Sequence, residues 1–114
     1  MNPSRKKEII SEYKQRKIEG GVYALCCATT RRRMIDFTTD LTSAKNRFAF
    51  SIGSSLCPHH LLQADWRAHG AGSFIFEVLE TLPKKDDEDL AEYKESLAVL
   101  RDILREKTPA NELY

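Results

Sequence analysis

The chain alternates between short apolar runs and stretches in which apolar residues recur every three or four positions. Two of the short runs cover residues 22–28 and 33–38 and are joined by a turn of arginines, and a third covers residues 74–79. Apolar runs of this length, bounded by glycine or polar residues, are typical of strands. They predict a hairpin and, later in the chain, one further strand.

Four other stretches have helical periodicity, and they cover residues 3–18, 41–53, 58–69 and 90–104. Pro3 and Pro58 are residues that commonly open helices, Asp40 is a good N-cap, and Gly70 is a common stop signal. The resulting order α-β-β-α-α-β-α predicts an α+β fold, in which helices flank a small three-stranded antiparallel sheet. We divide the chain into an N-terminal helical extension, residues 1–19, and one domain, residues 20–114.

The size and charge of the chain narrow the choice of function. With 114 residues and 41% hydrophobic content, the chain can close one hydrophobic core. The net charge is only +1, but residues 1–56 hold 11 Lys/Arg against 5 Asp/Glu, whereas residues 57–114 hold 7 against 12. A basic half suits a phosphate backbone; the alternative is two solvated faces of opposite charge.

No apolar run approaches the roughly 20 residues that span a bilayer, and no apolar signal-peptide core follows the charged start of the chain. Of the three cysteines, Cys26 and Cys27 are adjacent, so their side chains point to opposite faces of a strand. Together with Cys57, His59 and His60 they do not form the ligand spacing that is typical of a zinc site. We therefore expect a cytoplasmic protein with no membrane partner and no small-molecule cofactor.

Several short motifs resemble the GIY-YIG nuclease superfamily. Residues 21–23, Gly-Val-Tyr, resemble the GIY half of its signature, and residues 34–36, Met-Ile-Asp, stand where the YIG half falls. Residues 38–41 resemble the family's entry into its first helix, and residues 62–80 its Leu-Gln to Leu-Glu block. The likeness covers residues 21–111 and is closest to a bacterial subgroup labelled LuxR-like.

The resemblance implies an endonuclease, a hydrolase that uses Mg²⁺ or Mn²⁺ to break phosphodiester bonds in DNA. Tyr23 matches the first signature tyrosine, Glu95 the metal ligand and Asn111 a supporting asparagine. Ala44 stands at the position of the family's arginine, and Arg47 lies three residues later on the same helical face, where it is the candidate substitute. A homodimer is the assembly expected of a one-site nuclease that cuts both strands.

The second motif departs from the family pattern in two positions. Met34 replaces a tyrosine, so a hydroxyl is lost, and Asp36 replaces a glycine, so a carboxylate stands where a phosphate would approach. Both changes would weaken or abolish cleavage. The alternative function is therefore a catalytically inactive module that keeps the fold to bind nucleic acid or a regulatory protein partner.

Each candidate residue also has a structural interpretation. Tyr23 is a strand tyrosine of the kind that commonly packs in a core, and Glu95 lies among many surface acids of its helix. Trp66 and His69 are expected to pack on the apolar side of the third helix. The candidate DNA contacts, which an ordinary solvated surface would equally explain, are Arg31, Arg32, Arg33 and Lys45.

Overall fold

A computed structural model describes residues 18–114, so the helix predicted over residues 3–18 lies, apart from its last residue, outside the described part. Three strands form one sheet: β1 (Gly20–Cys27), β2 (Arg33–Thr38) and β3 (Phe74–Leu82). There are three α-helices: α1 (Leu41–Ser54), α2 (Gln63–His69) and α3 (Leu90–Glu106). The 3₁₀ turns of the described residues are His60–Leu62, Ala71–Ser73 and Ala110–Glu112.

The predicted fold class is confirmed. The strands are antiparallel in the order β2-β1-β3, with the hairpin partner and the late strand on either side of β1. Asp40 caps α1 as predicted, because its carboxylate accepts the backbone N–H of Ser43 at 3.0 Å. The third predicted helix begins later than residue 58, since His59 has an extended backbone and only a 3₁₀ turn separates it from α2.

Side chains of β1 alternate between the two faces of the sheet. The front face carries Tyr23, Leu25 and Cys27, and α1, the first 3₁₀ turn and α2 cover it. The back face carries Val22, Ala24 and Cys26, and α3 covers it through partly buried leucines such as Leu100 and Leu104. Because both faces of β1 are buried, its apolar run is continuous rather than alternating.

On the third helix, one of the two expected packing residues is confirmed. Trp66 is 6% exposed, lies 5.1 Å from the ring of Phe74, and donates its indole N–H to the carbonyl of Ser55 at 3.2 Å. The expectation that His69 packs is wrong, because its side chain is exposed at the last residue of the helix.

A β-bulge fixes how β3 meets β1. Val22 pairs with Glu80 whereas Tyr23 pairs with Val78, so one residue of β3, Leu79, is passed over. At the neighbouring Gly21, a Cβ atom would overlap the carbonyl oxygen of Glu80. The glycine of the Gly-Val-Tyr motif is therefore required by the close approach of two strands.

The C-terminal residues lie against the start of β2. Leu113 forms a parallel bridge with Arg33, and the N–H of Tyr114 donates to the carbonyl of Arg33 at 3.1 Å. The Tyr114 hydroxyl donates to Asp65 of α2 at 2.6 Å. Among residues 18–114, no helix is both long and apolar enough to cross a membrane.

Candidate functional site

The front face holds a pocket of about 300 Å³ between the β1–β2 ladder, α1 and the loop that precedes the first 3₁₀ turn. The residues that line it are Tyr23, Leu25, Met34, Asp36, Phe37, Ala44, Arg47, Phe48, Pro58 and His59. Both halves of the sequence motif therefore meet in one cavity. Tyr23 and Asp36 are direct partners across the ladder, which places a phenol beside a carboxylate.

Tyr23 is held by aromatic packing. Its ring stacks on Phe76 with centroids 5.0 Å apart and planes at 18°, and Phe48 of α1 lies 6.0 Å from Phe76. Burial raises the pKa of Tyr23, the charge of Asp36 raises it further, and Arg47 opposes these two effects. The phenol is consequently protonated at neutral pH and presents a hydrogen-bond donor rather than a base.

The two departures from the family motif also lie in this pocket. Met34 is 8% exposed and pairs with Leu25, so a thioether occupies the wall where the resemblance implies a second phenol. One oxygen of Asp36 accepts the N–H of Phe37 at 2.8 Å and lies 3.7 Å from a guanidinium nitrogen of Arg101 on α3. The carboxylate is thus engaged with an arginine that comes from the helix on the back face.

The helix α1 contributes a cation to the pocket. Ala44 is 5% exposed and faces the sheet, and Arg47, one turn later, lines the same pocket with an exposed side chain. Its positive charge acts to lower the pKa of Tyr23, and both residues line the pocket. Arg47 is therefore brought together with Tyr23, as the substitute for the missing arginine was expected to be.

His59 is a pocket residue that the sequence reasoning did not select. Its Nδ1 accepts the backbone N–H of Leu61 at 3.1 Å, and its ring stacks on His60 with centroids 4.4 Å apart. Since Nδ1 is an acceptor, the neutral ring carries its proton on Nε2 and can donate it to a ligand. The available signal was the resemblance to the GIY-YIG superfamily, which implies a histidine at the place of Cys57, two residues before His59.

Glu95 and Asn111 lie outside this pocket. Glu95 is exposed on α3, two residues after the buried Tyr93, which places it about 200° around the helix from the packed side. Asn111 is exposed in the last 3₁₀ turn, which leads to the pairing of Leu113 with Arg33. The structure thus brings together two of the four predicted catalytic and metal-binding residues, and the roles of Glu95 and Asn111 stay predictions.

The donor set does not fit the metal site that the resemblance implies. Within residues 18–114, no group of three or more His, Cys, Asp or Glu side chains is placed to hold a metal ion. The carboxylate of the pocket is Asp36, and Arg101 already lies beside it. Mg²⁺ prefers carboxylate oxygens and water as ligands. Glu95, the residue expected to supply the carboxylate, faces away from the sheet.

The four candidate DNA contacts have different surroundings. Arg31 is exposed at the hairpin turn with φ 63°, and Lys45 is exposed on α1. Arg32 lies over the Tyr114 ring at 4.5 Å and donates to the carbonyl of Leu113 at 3.2 Å. Arg33 is half-buried in β2, and its Nε has no hydrogen-bond partner among the described residues. Arg31 and Lys45 are the two of this set that are exposed and make no side-chain hydrogen bond or cation–π contact in the described part of the chain.

Comparisons with known proteins identify the fold. No protein-family model and no curated protein matches the sequence. The structure is similar to a mutant form of the catalytic domain of intron endonuclease I-TevI, with a TM-score of 0.57 and 15% sequence identity over 78% of this chain and 82% of that one. A likeness at this identity is one of fold, and it agrees with the order of strands and helices described above. The chain therefore has the GIY-YIG nuclease fold.

Proposed function

We propose that this domain binds DNA through the front-face pocket and does not cleave it by a metal-dependent reaction. The observation that carries the proposal is the composition of the pocket. Tyr23, Arg47 and His59 line it, whereas Glu95 lies on the solvent side of the helix that covers the opposite face of the sheet. The groups that would hold a phosphate are assembled, and the group that would hold a metal is not.

The three pocket donors suit a phosphodiester. The Tyr23 hydroxyl, the Arg47 guanidinium and the Nε2–H of His59 are hydrogen-bond donors, and a guanidinium can make two parallel bonds to phosphate oxygens. Contacts of this kind position nucleic acid without reading its sequence. Arg31 and Lys45, both exposed, would extend the contact to neighbouring phosphates.

Hydrolysis has little support from the same residues. A water nucleophile needs a base, but the pKa of Tyr23 is raised and Met34 has no hydroxyl. A metal that would help Arg47 to stabilise the phosphorane finds one carboxylate in the pocket, Asp36, and Arg101 already lies beside it. Asp36 adds negative charge where the phosphate would lie.

A metal-dependent endonuclease is the second candidate, and the placement of Tyr23 and Arg47 in one pocket favours it. It would use Glu95 and Asn111 with Mg²⁺ or Mn²⁺, as the resemblance to the GIY-YIG superfamily implies. For that reaction α3 and the C-terminal turn would have to bring both side chains to the front face.

One experiment separates the two candidates. In the cleavage assay, supercoiled or branched DNA is incubated in Mg²⁺ or Mn²⁺ with the wild-type protein, Tyr23→Phe or Glu95→Ala. In the binding assay, the affinity of the same proteins for a labelled duplex is measured in EDTA. We expect no nicking and salt-sensitive binding. Nicking that both substitutions abolish would establish the endonuclease instead, and the absence of both nicking and binding would contradict the proposal.

A matched pair of arginine variants locates the binding. Arg47→Gln should weaken binding severalfold and reduce the slope of log affinity against log salt by about 0.9, the value of one lost phosphate contact. Arg67 is an exposed arginine of α2 that does not line the pocket. Arg67→Gln should leave both quantities unchanged, and equal effects of the two variants would place the DNA elsewhere.

A further inference from the structure

A second arginine, Arg101, contacts residues that line the pocket without lining it itself. Arg101 of α3 lies 3.7 Å from Asp36 and its guanidinium carbon lies 5.1 Å from the centre of the Phe37 ring. Asp36 and Phe37 both line the pocket. The Phe37 ring packs on the back face, whereas Asp36 is the partner of Tyr23 on the front face. The guanidinium therefore reaches from the back face to the edge of β2, and Asp36 links it to the pocket.

We infer that Arg101 is a phosphate-contacting residue of this pocket and that Asp36 and Phe37 position it. The inference rests on the proposed function and names a residue to which neither the sequence motifs nor the fold comparison points. It also accounts for Asp36. A carboxylate in a phosphate pocket is unfavourable alone, but here it holds a guanidinium that has five donors to share.

The contacts of Arg101 leave donors for a ligand. Its Nε donates to Asp102 at 3.1 Å, and one Nη faces Asp36 at a distance longer than a hydrogen bond. Among residues 18–114, no acceptor engages its second terminal nitrogen. Phe37 contacts the guanidinium, and such cation–π contacts fix orientation while the edge of the group stays available.

The position also suits the shape of a nucleic-acid backbone. Arg47 comes from α1, on the front face, and lines the pocket. Arg101 comes from α3, on the back face, and lies beside Asp36 of β2, an outer strand of the sheet. A backbone that passes this edge meets a cation from each helix. Ala44, at the motif position where the family has its arginine, supplies none, and Arg101 adds a positive charge from another element.

The test compares Arg101→Gln with Arg105→Gln. Arg105 is exposed one turn further along α3, and among the described residues it makes no ion pair or cation–π contact with a pocket residue, so it is a matched control. Binding to a labelled DNA duplex is measured over a range of salt concentrations. We expect Arg101→Gln to weaken binding severalfold and lower the salt slope by about 0.9, with no change for Arg105→Gln.

A third variant distinguishes placement from charge. Arg101→Lys keeps the charge but loses the planar fork and the stacking on Phe37, so we expect weaker binding with the salt slope of the wild type. Thermal unfolding of all variants checks that they are folded.

Each outcome has one meaning. Equal behaviour of the Arg101 and Arg105 variants, in a protein whose wild type binds DNA through Arg47, overturns the inference and leaves the proposed function standing. A wild type that does not bind DNA overturns the proposed function.

Discussion

The hydroxyl of Tyr93 accepts a hydrogen bond from the backbone N–H of Gly20 at 2.9 Å and donates one to the carbonyl of Leu82. This one side chain joins α3 to the paired ends of β1 and β3, and a Cβ atom on Gly20 would overlap its oxygen. We expect Gly20→Ala to lower the free energy of unfolding by about 2 kcal/mol, since a buried hydroxyl loses its partners. Urea denaturation measures the change.

Gly53 supplies the control for that prediction. It lies near the end of α1, and a Cβ atom there would meet nothing within 4 Å. Gly53→Ala should raise the free energy of unfolding by about 0.5 kcal/mol or slightly more, because alanine is the better helix former. Two changes of the same sign would show that the Gly20–Tyr93 contact is not the cause.

The degenerate second motif can be restored by Met34→Tyr with Asp36→Gly. We expect no gain of nicking activity, because Glu95 stays on the solvent side of α3 and the pocket still lacks a metal-holding carboxylate. Conversion of supercoiled plasmid to open circles in Mn²⁺ is the measurement. A gain that Glu95→Ala then removes would show that the rest of a nuclease site is competent.

Divalent cations should not stabilise the folded protein. A ligand that binds only the folded state raises the melting temperature, and no group of three or more potential ligand side chains is assembled in residues 18–114. We expect millimolar Mg²⁺ or Mn²⁺ to shift Tm no more than sodium chloride of equal ionic strength. A larger shift that Glu95→Ala abolishes would contradict the proposed function and favour the endonuclease.

The Tyr114 contact predicts a loss of stability at alkaline pH. Burial and the hydrogen bond to Asp65 raise the pKa of Tyr114 above its usual 10.0. The unfolded chain therefore releases this proton first, so the contribution of Tyr114 to stability is complete below pH 10.0 and falls as the pH rises beyond it. The free energy of unfolding, measured by urea denaturation from about pH 8 to about pH 11, should decline less steeply for Tyr114→Phe than for wild type.

The free energy of unfolding of Tyr114→Phe should still decline at alkaline pH, because two other tyrosines contribute. Burial raises the pKa values of Tyr23 and Tyr93 in the same direction. Equal declines in wild type and Tyr114→Phe would show that the Tyr114 phenol does not titrate differently in the folded and unfolded states.

The sequence predicted the fold well because its signals were local. Short apolar runs gave the three strands, and Asp40 marked the start of α1. The start of α2 was wrong because the ring of His59 caps the Leu61 N–H, a contact that periodicity does not reveal. The third strand continues three residues further, to Leu82, where it pairs with Gly20.

The site was harder to predict because it depends on contacts between distant elements. Tyr23 and Arg47 followed from the motif and the helical spacing, and both line the pocket. Glu95 was assigned by its place in the family pattern, but Tyr93 and Leu97 define the buried side of α3 and leave it outside. Arg101 had no local signal, since its partner Asp36 lies on a strand far earlier in the chain.

The sheet has two unlike borders. Leu113 and the side chain of Arg101 lie along β2, whereas no strand of the described residues lies beside β3, whose Ile75 and Val78 are 53% and 46% exposed. A second copy that added its own β3 there in the antiparallel sense would occupy the free N–H and C=O groups of both copies at once. Self-association by pairing of β3 with β3 would therefore end at a closed pair, because each copy has one such border.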